Sequence, residues 1–317
     1  MKPVVFLTGL LLLLSSCGKE DSLPIVRDGN QLSYGLDSLV FTDWNHGPGA
    51  IKVYYYIPIS GNVRTMKILF AMHGADRNGL YQVQNWMETA DDKNLIVVSP
   101  QLDRDDFPPL AYQFGGVSAS EYSFEETPRE TWTYTLVEEI FSYIRRMTGN
   151  TSSTYDLWGH SAGAQFTHRM ALFMDDSCIG RAVCSNAGFY TAPVPEGISD
   201  SSGKIYGYPY SVKDTNLDDN ALRRYFAMDL VVHLGTADLA TSKEEDSSLP
   251  VDAGSKVQGA SRYERGRYFY EKAMETAESK GFAFNWRLIE VPGVAHNSRL
   301  MIQSGTTGAA AVLYYNE

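Results

Sequence analysis

Short apolar runs that lack polar alternation recur along this chain and are separated by segments of helical periodicity. An antiparallel start is predicted at 34–42 and 50–58. The apolar runs then lie at 67–72, 94–99, 155–158, 181–186, 229–234 and 284–291. Helices are predicted at 79–92, 128–148, 161–174, 259–280 and 305–315. Runs of this kind suit parallel strands covered on both faces, and their alternation with helices predicts a mostly parallel, doubly wound α/β sheet.

The helix at 128–148 has the clearest boundaries in the sequence. Thr127 and Glu130 have the spacing of a capping box, and Pro128 occupies the predicted first helical position. Apolar residues recur every four positions from Trp132, and Gly149 provides a stop.

Two connections, 101–127 and 188–227, are too long to be simple turns. Both follow the carboxyl ends of predicted strands, where open α/β sheets bind ligands, and long loops in compact domains are often functional. The first mixes acidic and aromatic residues. We predict that these insertions form a lid or a substrate wall. The alternative for the first is a solvated loop that its aromatic residues merely anchor.

The first 17 residues, MKPVVFLTGLLLLLSSC, contain one lysine and then an apolar run of about 11 residues. A bilayer-spanning helix takes roughly 17 to 25 residues, so this pattern is typical of a secretory signal instead. Its last four residues, LSSC, resemble the lipobox of bacterial lipoproteins, whose cysteine is lipidated and begins the mature chain. We predict a signal peptide over 1–17 that ends at a lipidated Cys17.

Residues 18–33 are predicted to be a tether. They begin with GKED, which resembles the signal that sends Bacteroidetes lipoproteins to the outer face of the outer membrane. This predicts a cell-surface lipoprotein, with a periplasm-facing one as the alternative, that contacts the membrane only through the lipid on Cys17. Residues 34–317 are predicted to form a single domain. The formal charge of −11 argues against nucleic acid as a partner.

The stretch WGHSAG, residues 158–163, has the G-x-S-x-G pattern of a nucleophile elbow. A predicted strand precedes it and a predicted helix follows it, as an elbow requires. Gly159 and Gly163 suit a tight turn that leaves no room for a Cβ, and His160 is the variable residue between Gly159 and the serine. Ser161 would then lie at a helix N-terminus, which favours developing negative charge.

A nucleophilic serine needs a base, and the chain has six histidines. His296 fits best, because it lies in a loop opened by Pro292 just after the last strand. The other histidines fit poorly for their positions: His160 in the elbow, His168 within a helix, His233 within a strand, His46 before the sheet and His73 at the end of the third strand.

The acid should follow the strand at 229–234, and Asp238 comes four residues after it. The order Ser, acid, His is that of α/β-hydrolases. Asp246, Glu244 and Glu245 are rival acids that also suit a solvated charge cluster. Asp229 lies at the wrong end of its strand.

The oxyanion formed in acyl transfer needs backbone N–H donors. Ala162 directly follows Ser161. After the third strand, His73 and Gly74 resemble the HG turn of lipases and esterases, which makes the amide of Ala75 the second predicted donor.

From about residue 50 onward the chain resembles α/β-hydrolases of the group that contains bacterial esterases and poly(3-hydroxybutyrate)-depolymerase-like proteins. The matching stretches are HGADRNG, LWGHSAGAQFTHRMALF, NAGFYTAP, HLGTADLA and VPGVAH, although Leu239 stands where such proteins usually have a small polar residue. The resemblance implies an α/β-hydrolase fold with lid-like insertions and a Ser161–His296–Asp238 triad. It implies no cofactor, and no cysteine–histidine or H-E-x-x-H pattern indicates a metal.

The function predicted first is an exported carboxylesterase that removes acetyl, methyl or feruloyl groups from polysaccharides. One alternative is a depolymerase of polyesters such as polyhydroxybutyrate. The other is a surface glycan-binding lipoprotein without catalytic activity.

Two cysteines, Cys178 and Cys184, remain after Cys17. A disulfide between them and two separate thiols are both open, although Cys184 lies in a predicted central strand, where a free cysteine packs well.

Overall fold

The computed structural model describes residues 31–315. The predicted signal peptide, Cys17 and most of the tether lie outside the described residues. The strands are, in chain order, β1 (Gly35–Phe41), β2 (Ile51–Ile57), β3 (Lys67–Met72), β4 (Leu95–Pro100), β5 (Tyr155–His160), β6 (Ile179–Ser185), β7 (Ile198–Ser199), β8 (Ile205–Tyr206), β9 (Asp229–Gly235) and β10 (Arg287–Val291). The helices are α1 (Gly79–Lys93), α2 (Pro109–Tyr112), α3 (Thr133–Thr148), α4 (Ala162–Phe173), α5 (Asp219–Ala227), α6 (Ala253–Val257), α7 (Arg262–Lys280), α8 (Ser298–Gln303) and α9 (Ala309–Tyr314).

Eight strands form one sheet in the order β1-β2-β4-β3-β5-β6-β9-β10. β2 pairs antiparallel with β1 and with β4, whereas all pairs from β4 to β10 are parallel. The predicted doubly wound, mostly parallel sheet is therefore confirmed. Because β4 and β5 flank β3 on opposite sides, the winding changes direction at β3. Such a switch point opens a crevice at the carboxyl ends of the strands.

Both faces of the sheet are covered by helices, as its apolar strands require. In β3, Phe70 belongs to a buried cluster that includes Phe166 of α4. Its neighbour Leu69 belongs to a second cluster that includes Trp86 of α1. Successive residues of a strand point to opposite faces, so one strand serves both cores.

The helix predicted at 128–148 begins later than its sequence pattern indicates. Residues Arg129–Thr131 form a short 3-10 turn, Trp132 is extended, and α3 starts at Thr133. The predicted capping box does not form at this helix, because the Thr127 hydroxyl donates to Gly116 O across the adjacent insertion. The predicted stop is confirmed, since Gly149 ends α3 in a left-handed conformation with φ 64°.

Other boundaries also differ from the prediction. The helix predicted at 259–280 corresponds to α7, which begins only at Arg262, after a capping box of Ser261 and Glu264. α6 precedes the predicted helix and was not predicted. Within the predicted connection 188–227 lie the β7–β8 hairpin and α5, and α8 was not predicted. β5 extends beyond its predicted end to His160, and β10 starts only at Arg287.

The aromatic residues of the first insertion mostly face inward. Phe107, Tyr112 and Phe114 are all buried, and the Tyr112 hydroxyl donates to His73 O at 2.6 Å. Tyr122 is the exception, with 73% of its surface exposed. These contacts anchor this part of the insertion to the core.

Cys178 and Cys184 are both buried, and no disulfide joins them to each other. Of the two alternatives that the sequence leaves open, the structure therefore lacks the Cys178–Cys184 disulfide. Within residues 31–315, no helix is long and apolar enough to cross a membrane.

Candidate active site

Ser161 occupies the sharp turn between β5 and α4. Its backbone has φ 58° and ψ −117°, a conformation that a side chain makes unfavourable and that the surroundings must enforce. The Ser161 amide donates to Ser185 O at 3.0 Å, which ties the turn to the neighbouring strand β6. The sequence therefore folds here into the strained strand-to-helix turn that it predicts.

The two glycines of the elbow are required by close backbone contacts. A Cβ on Gly159 would lie 2.2 Å from Gly163 O, and a Cβ on Gly163 would lie 2.3 Å from Met72 O. Both distances are far below van der Waals contact. α4 can therefore start directly against β3 and β5 only if both residues are glycine.

Asp238 and His296 meet at the carboxyl ends of the adjacent parallel strands β9 and β10. His296 Nδ1 lies 2.7 Å from Asp238 Oδ2, and Asp238 is only 2% exposed. The Ala237 amide donates to Val294 O at 2.9 Å and so joins the two loops that carry these side chains. The Asp238 carboxylate fixes the orientation of the ring.

The ring of His296 packs against the ring of His160, the residue before Ser161, with centroids 4.5 Å apart. This contact places the imidazole beside the elbow. Within the described part of the chain, no hydrogen bond joins the Ser161 hydroxyl to His296. Such catalytic hydrogen bonds are often long without substrate and tighten when it binds.

The rings of three other histidines are engaged elsewhere in the core. His73 Nε2 accepts from Leu102 N, His168 Nε2 accepts from Thr191 N, and His233 Nδ1 lies 2.8 Å from Ser185 Oγ. The second ring nitrogen of each lies near a backbone carbonyl oxygen. Burial lowers the pKa of His73 to about 3 and that of His233 to about 4, so both rings are neutral at neutral pH. None of these three rings is free to act as a base.

The rival acids do not face His296. Asp246 pairs with Arg262 at 2.6 Å, and Asp229 pairs with Arg287 near the opposite end of β9. Glu245 accepts a hydrogen bond from Thr241 N, and Glu244 is exposed. Of the acids weighed from the sequence, only Asp238 is hydrogen-bonded to His296.

The turn after β3 lies over the elbow, as the HG pattern predicts. A Cβ on Gly74 would be 3.8 Å from Ser161 Cβ. Next to it, Ala75 O accepts from Arg104 Nε at 3.1 Å and from Arg104 Nη2 at 2.6 Å, which fixes the following peptide. Ala162 is the first residue of α4, so its amide has no acceptor one helical turn back. Of the two predicted oxyanion donors, Ala162 therefore directly follows Ser161, and Ala75 directly follows Gly74, which lies next to Ser161.

Two residues of this site were not identified from the sequence. Asn186, which has φ 51°, lies just after β6 and accepts from Gly235 N at 2.8 Å, which holds the start of the Asp238 turn. Arg262 lies 3.6 Å from Asp238 Oδ1 and is only 1% exposed. Asparagine tolerates a positive φ, but nothing else in the local sequence indicates that Asn186 adopts one. A single arginine at the start of a helix is expected to be solvated.

Between residues 31 and 315, no group of three or more His, Cys, Asp and Glu side chains is arranged to hold a metal ion.

Comparison with solved structures shows that known hydrolases have a similar fold. Poly(aspartic acid) hydrolase-1 from Sphingomonas sp. KT-1 is 33% identical, with a TM-score of 0.78 over 90% of this chain and 100% of its own. A poly(3-hydroxybutyrate) depolymerase from Bordetella parapertussis is 26% identical, with a TM-score of 0.78 over 90% of this chain and 92% of its own. Carboxyl esterase 2 from Tuber melanosporum shares the fold at 13% identity, with a TM-score of 0.54 over 93% and 91% of the two chains. No family model and no curated protein matches the chain.

Proposed function

Because the chain belongs to the α/β-hydrolase family that includes the poly(aspartic acid) hydrolase of Sphingomonas, we propose that it is a serine hydrolase that cleaves ester bonds through Ser161, His296 and Asp238. The observation that carries this proposal is the strained Ser161 elbow beside a His296 ring that a buried carboxylate orients. A strained backbone at such a position is a common property of functional residues.

The proposed reaction proceeds in two steps through an acyl-enzyme. Ser161 Oγ attacks the ester carbonyl while His296 Nε2 takes its proton, and the amides of Ala75 and Ala162 stabilise the oxyanion. When the tetrahedral intermediate collapses, the C–O bond to the alcohol breaks and His296 gives its proton to the leaving oxygen. Water then attacks the acyl-enzyme by the same route, which releases the acid and restores the Ser161 hydroxyl.

The test of this proposal is covalent labelling of the protein with a fluorophosphonate probe, followed by mapping of the modified peptide. We expect one adduct on Ser161, turnover of p-nitrophenyl esters by the unmodified protein, and neither in Ser161→Ala. Asp238→Asn should keep the fold but lose on the order of 10⁴-fold in kcat, because the histidine loses its correct tautomer. If the wild-type protein binds glycans but is not labelled, the proposed hydrolase is contradicted. The alternative of a glycan-binding lipoprotein without catalytic activity would then be favoured.

For the substrate, we propose first the ester groups of polysaccharides, of the acetyl, methyl or feruloyl type. The predicted export signal supports this choice. The second candidate is hydrolysis of a polyester backbone. It is supported by the likeness to a poly(3-hydroxybutyrate) depolymerase, whose polymer is a polyester. The poly(aspartic acid) hydrolase also acts on a polymer, although one joined by amide bonds. Parallel assays on acylated xylan, pectin and films of poly(3-hydroxybutyrate) separate the two, since only a depolymerase releases soluble oligomers from the film.

We also propose that the protein is an outer-membrane lipoprotein displayed on the cell surface through a lipid on Cys17. The pattern of residues 1–21 supports this location. Metabolic labelling with a fatty-acid analogue should mark the wild type and leave Cys17→Ala unmarked. Protease treatment of whole cells should remove the protein if it faces outward and spare it if it faces the periplasm.

A further inference from the structure

One buried guanidinium lies between two carboxylates beside the candidate active site. Arg262, the first residue of α7, is 1% exposed. Its Nη1 atom lies 3.6 Å from Asp238 Oδ1 and 2.6 Å from Asp246 Oδ2, and its Nη2 donates to Ser248 Oγ at 2.9 Å. An arginine without carboxylate partners would be strongly unfavourable at this depth, so the three charges form one interdependent group.

We propose that Arg262 is a positioning residue for Asp238 and that Asp246 tunes the charge that Arg262 presents to it, an inference that rests on the proposed function. Asp238 Oδ2 faces His296 and Asp238 Oδ1 faces Arg262. Because one oxygen is hydrogen-bonded and the other lies beside a buried cation, rotation of the carboxylate away from the imidazole would weaken both contacts. Asp246 and Ser248 in turn hold the guanidinium in place.

Asp246 is charged throughout the range in which the enzyme would work. Its partial burial opposes the charged form, but the Ser248 hydroxyl and the Arg262 guanidinium together hold the pKa of Asp246 down to about 2. Asp238, Arg262 and Asp246 therefore carry one positive and two negative charges. Asp246 neutralises part of the positive charge of Arg262, so the net charge beside Asp238 depends on both residues.

The charges of Asp238, Arg262 and Asp246 predict the direction in which the acidic limb of the pH–rate profile moves in each variant. On this limb the rate falls because the base, His296, must lose its proton before it can act. Asp246→Asn leaves Arg262 unneutralised, so the limb should move to lower pH. Arg262→Gln leaves Asp238 without its cation, so the limb should move to higher pH.

The other titratable or charged groups near these three residues are His160, His233, Tyr190 and Arg265. Burial lowers the pKa of both histidines and raises that of Tyr190, so the three rings stay neutral in this range. Burial lowers the pKa of Arg265 only to about 10, so it stays charged in all variants.

The experiment measures the fluorophosphonate labelling rate against pH, which requires no natural substrate. We expect the limb to shift by about one pH unit in opposite directions in Asp246→Asn and Arg262→Gln. The maximal rate should fall about tenfold or more in Arg262→Gln, because Asp238 becomes free to rotate. Arg262→Lys keeps the charge but loses the planar fork, so its limb should stay near that of the wild type while its maximal rate falls.

Arg267→Gln is the matched control. Arg267 lies on the same helix and also pairs with a carboxylate, Glu290 at 2.7 Å, but it is 43% exposed and lies outside this charge group. Its profile should coincide with that of the wild type. If Arg262→Gln does not fold, Asp246→Asn still decides, because the Asp246 side chain is 20% exposed and can be replaced with less disruption.

Limbs that do not move, or that move in the same direction in both variants, would overturn the inference. This failure is distinct from that of the proposed function. If only this inference fails, the wild type is labelled on Ser161 and only the variants disagree with expectation. If the proposed function fails, the wild type itself is not labelled.

Discussion

The imidazole rings of His160 and His296 pack against each other, with centroids 4.5 Å apart and planes inclined by 37°. His160 directly precedes the candidate nucleophile, whereas His296 follows the last strand of the sheet. His160 is 5% exposed, and burial together with the neighbouring His296 lowers the pKa of His160 well below its ordinary value. A neutral ring therefore supports one face of the proposed base.

Loss of this support should reduce activity more than stability. We expect His160→Ala to lower kcat by roughly 10- to 100-fold, because a displacement of His296 by about 1 Å is enough for such a loss. His160→Phe keeps a flat ring in the same place and should retain most of the activity. Steady-state kinetics on p-nitrophenyl acetate, with the melting temperature of each variant, measure the effect. Equal kcat values for His160→Ala and the wild type would contradict it.

Gly163→Ala should disrupt the elbow by steric overlap. Its Cβ would lie 2.3 Å from Met72 O and 2.8 Å from His73 O, so α4 must move away from the HG turn. We expect a loss of about 1–3 kcal/mol in the free energy of unfolding and a loss of most esterase activity. Gly49→Ala is the control, since nothing lies within 4 Å of its Cβ, and it should stay within about 0.5 kcal/mol of the wild type. Equal midpoint denaturant concentrations for Gly163→Ala and Gly49→Ala would contradict this prediction.

Stability should decrease in mild acid because of the buried histidines. The folded-state pKa is about 3 for His73 and about 4 for His233, below the ordinary value of 6.5. As the pH falls below 6.5, the unfolded chain binds protons that the folded one refuses. The stabilisation is thus complete above pH 6.5 and is lost as the pH falls toward the folded-state values, at up to about 1.4 kcal/mol per pH unit for each histidine.

Urea unfolding at a series of pH values between 7 and 5 measures this slope. His233→Gln should make it shallower, whereas the exposed His46→Asn should leave it unchanged. A free energy of unfolding that is constant over this range would show that the buried rings do not control acid stability.

Cys178 and Cys184 should remain thiols even in an oxidising compartment. Both are buried, and burial raises the pKa of the Cys184 thiol, which suppresses the reactive thiolate. We expect a thiol reagent to detect both residues after denaturation and a reducing agent to leave the melting temperature unchanged. A drop in melting temperature on reduction would show that the two are linked.

Much of the fold and the main residues of the site follow from the sequence. Buried strands show as apolar runs, and Gly149 ends α3 where a residue without a Cβ allows the left-handed turn. The elbow at Ser161 is likewise local, because Gly159, Gly163 and the flanking strand and helix are contiguous. Asp238 and His296 could be chosen because each follows a recognisable strand, and parallel strands bring their carboxyl ends to one edge.

The tertiary structure decided the features that depend on segments distant in sequence. Trp132 breaks the predicted start of α3 because Thr127 bonds to the neighbouring insertion instead of capping the helix. The placement of Arg262 between Asp238 and Asp246, and of the His160 ring against His296, could not be inferred either. Periodicity and spacing report the conformation of one segment, whereas these contacts depend on how separate segments pack. That packing is fixed only when the whole sheet and its helices assemble.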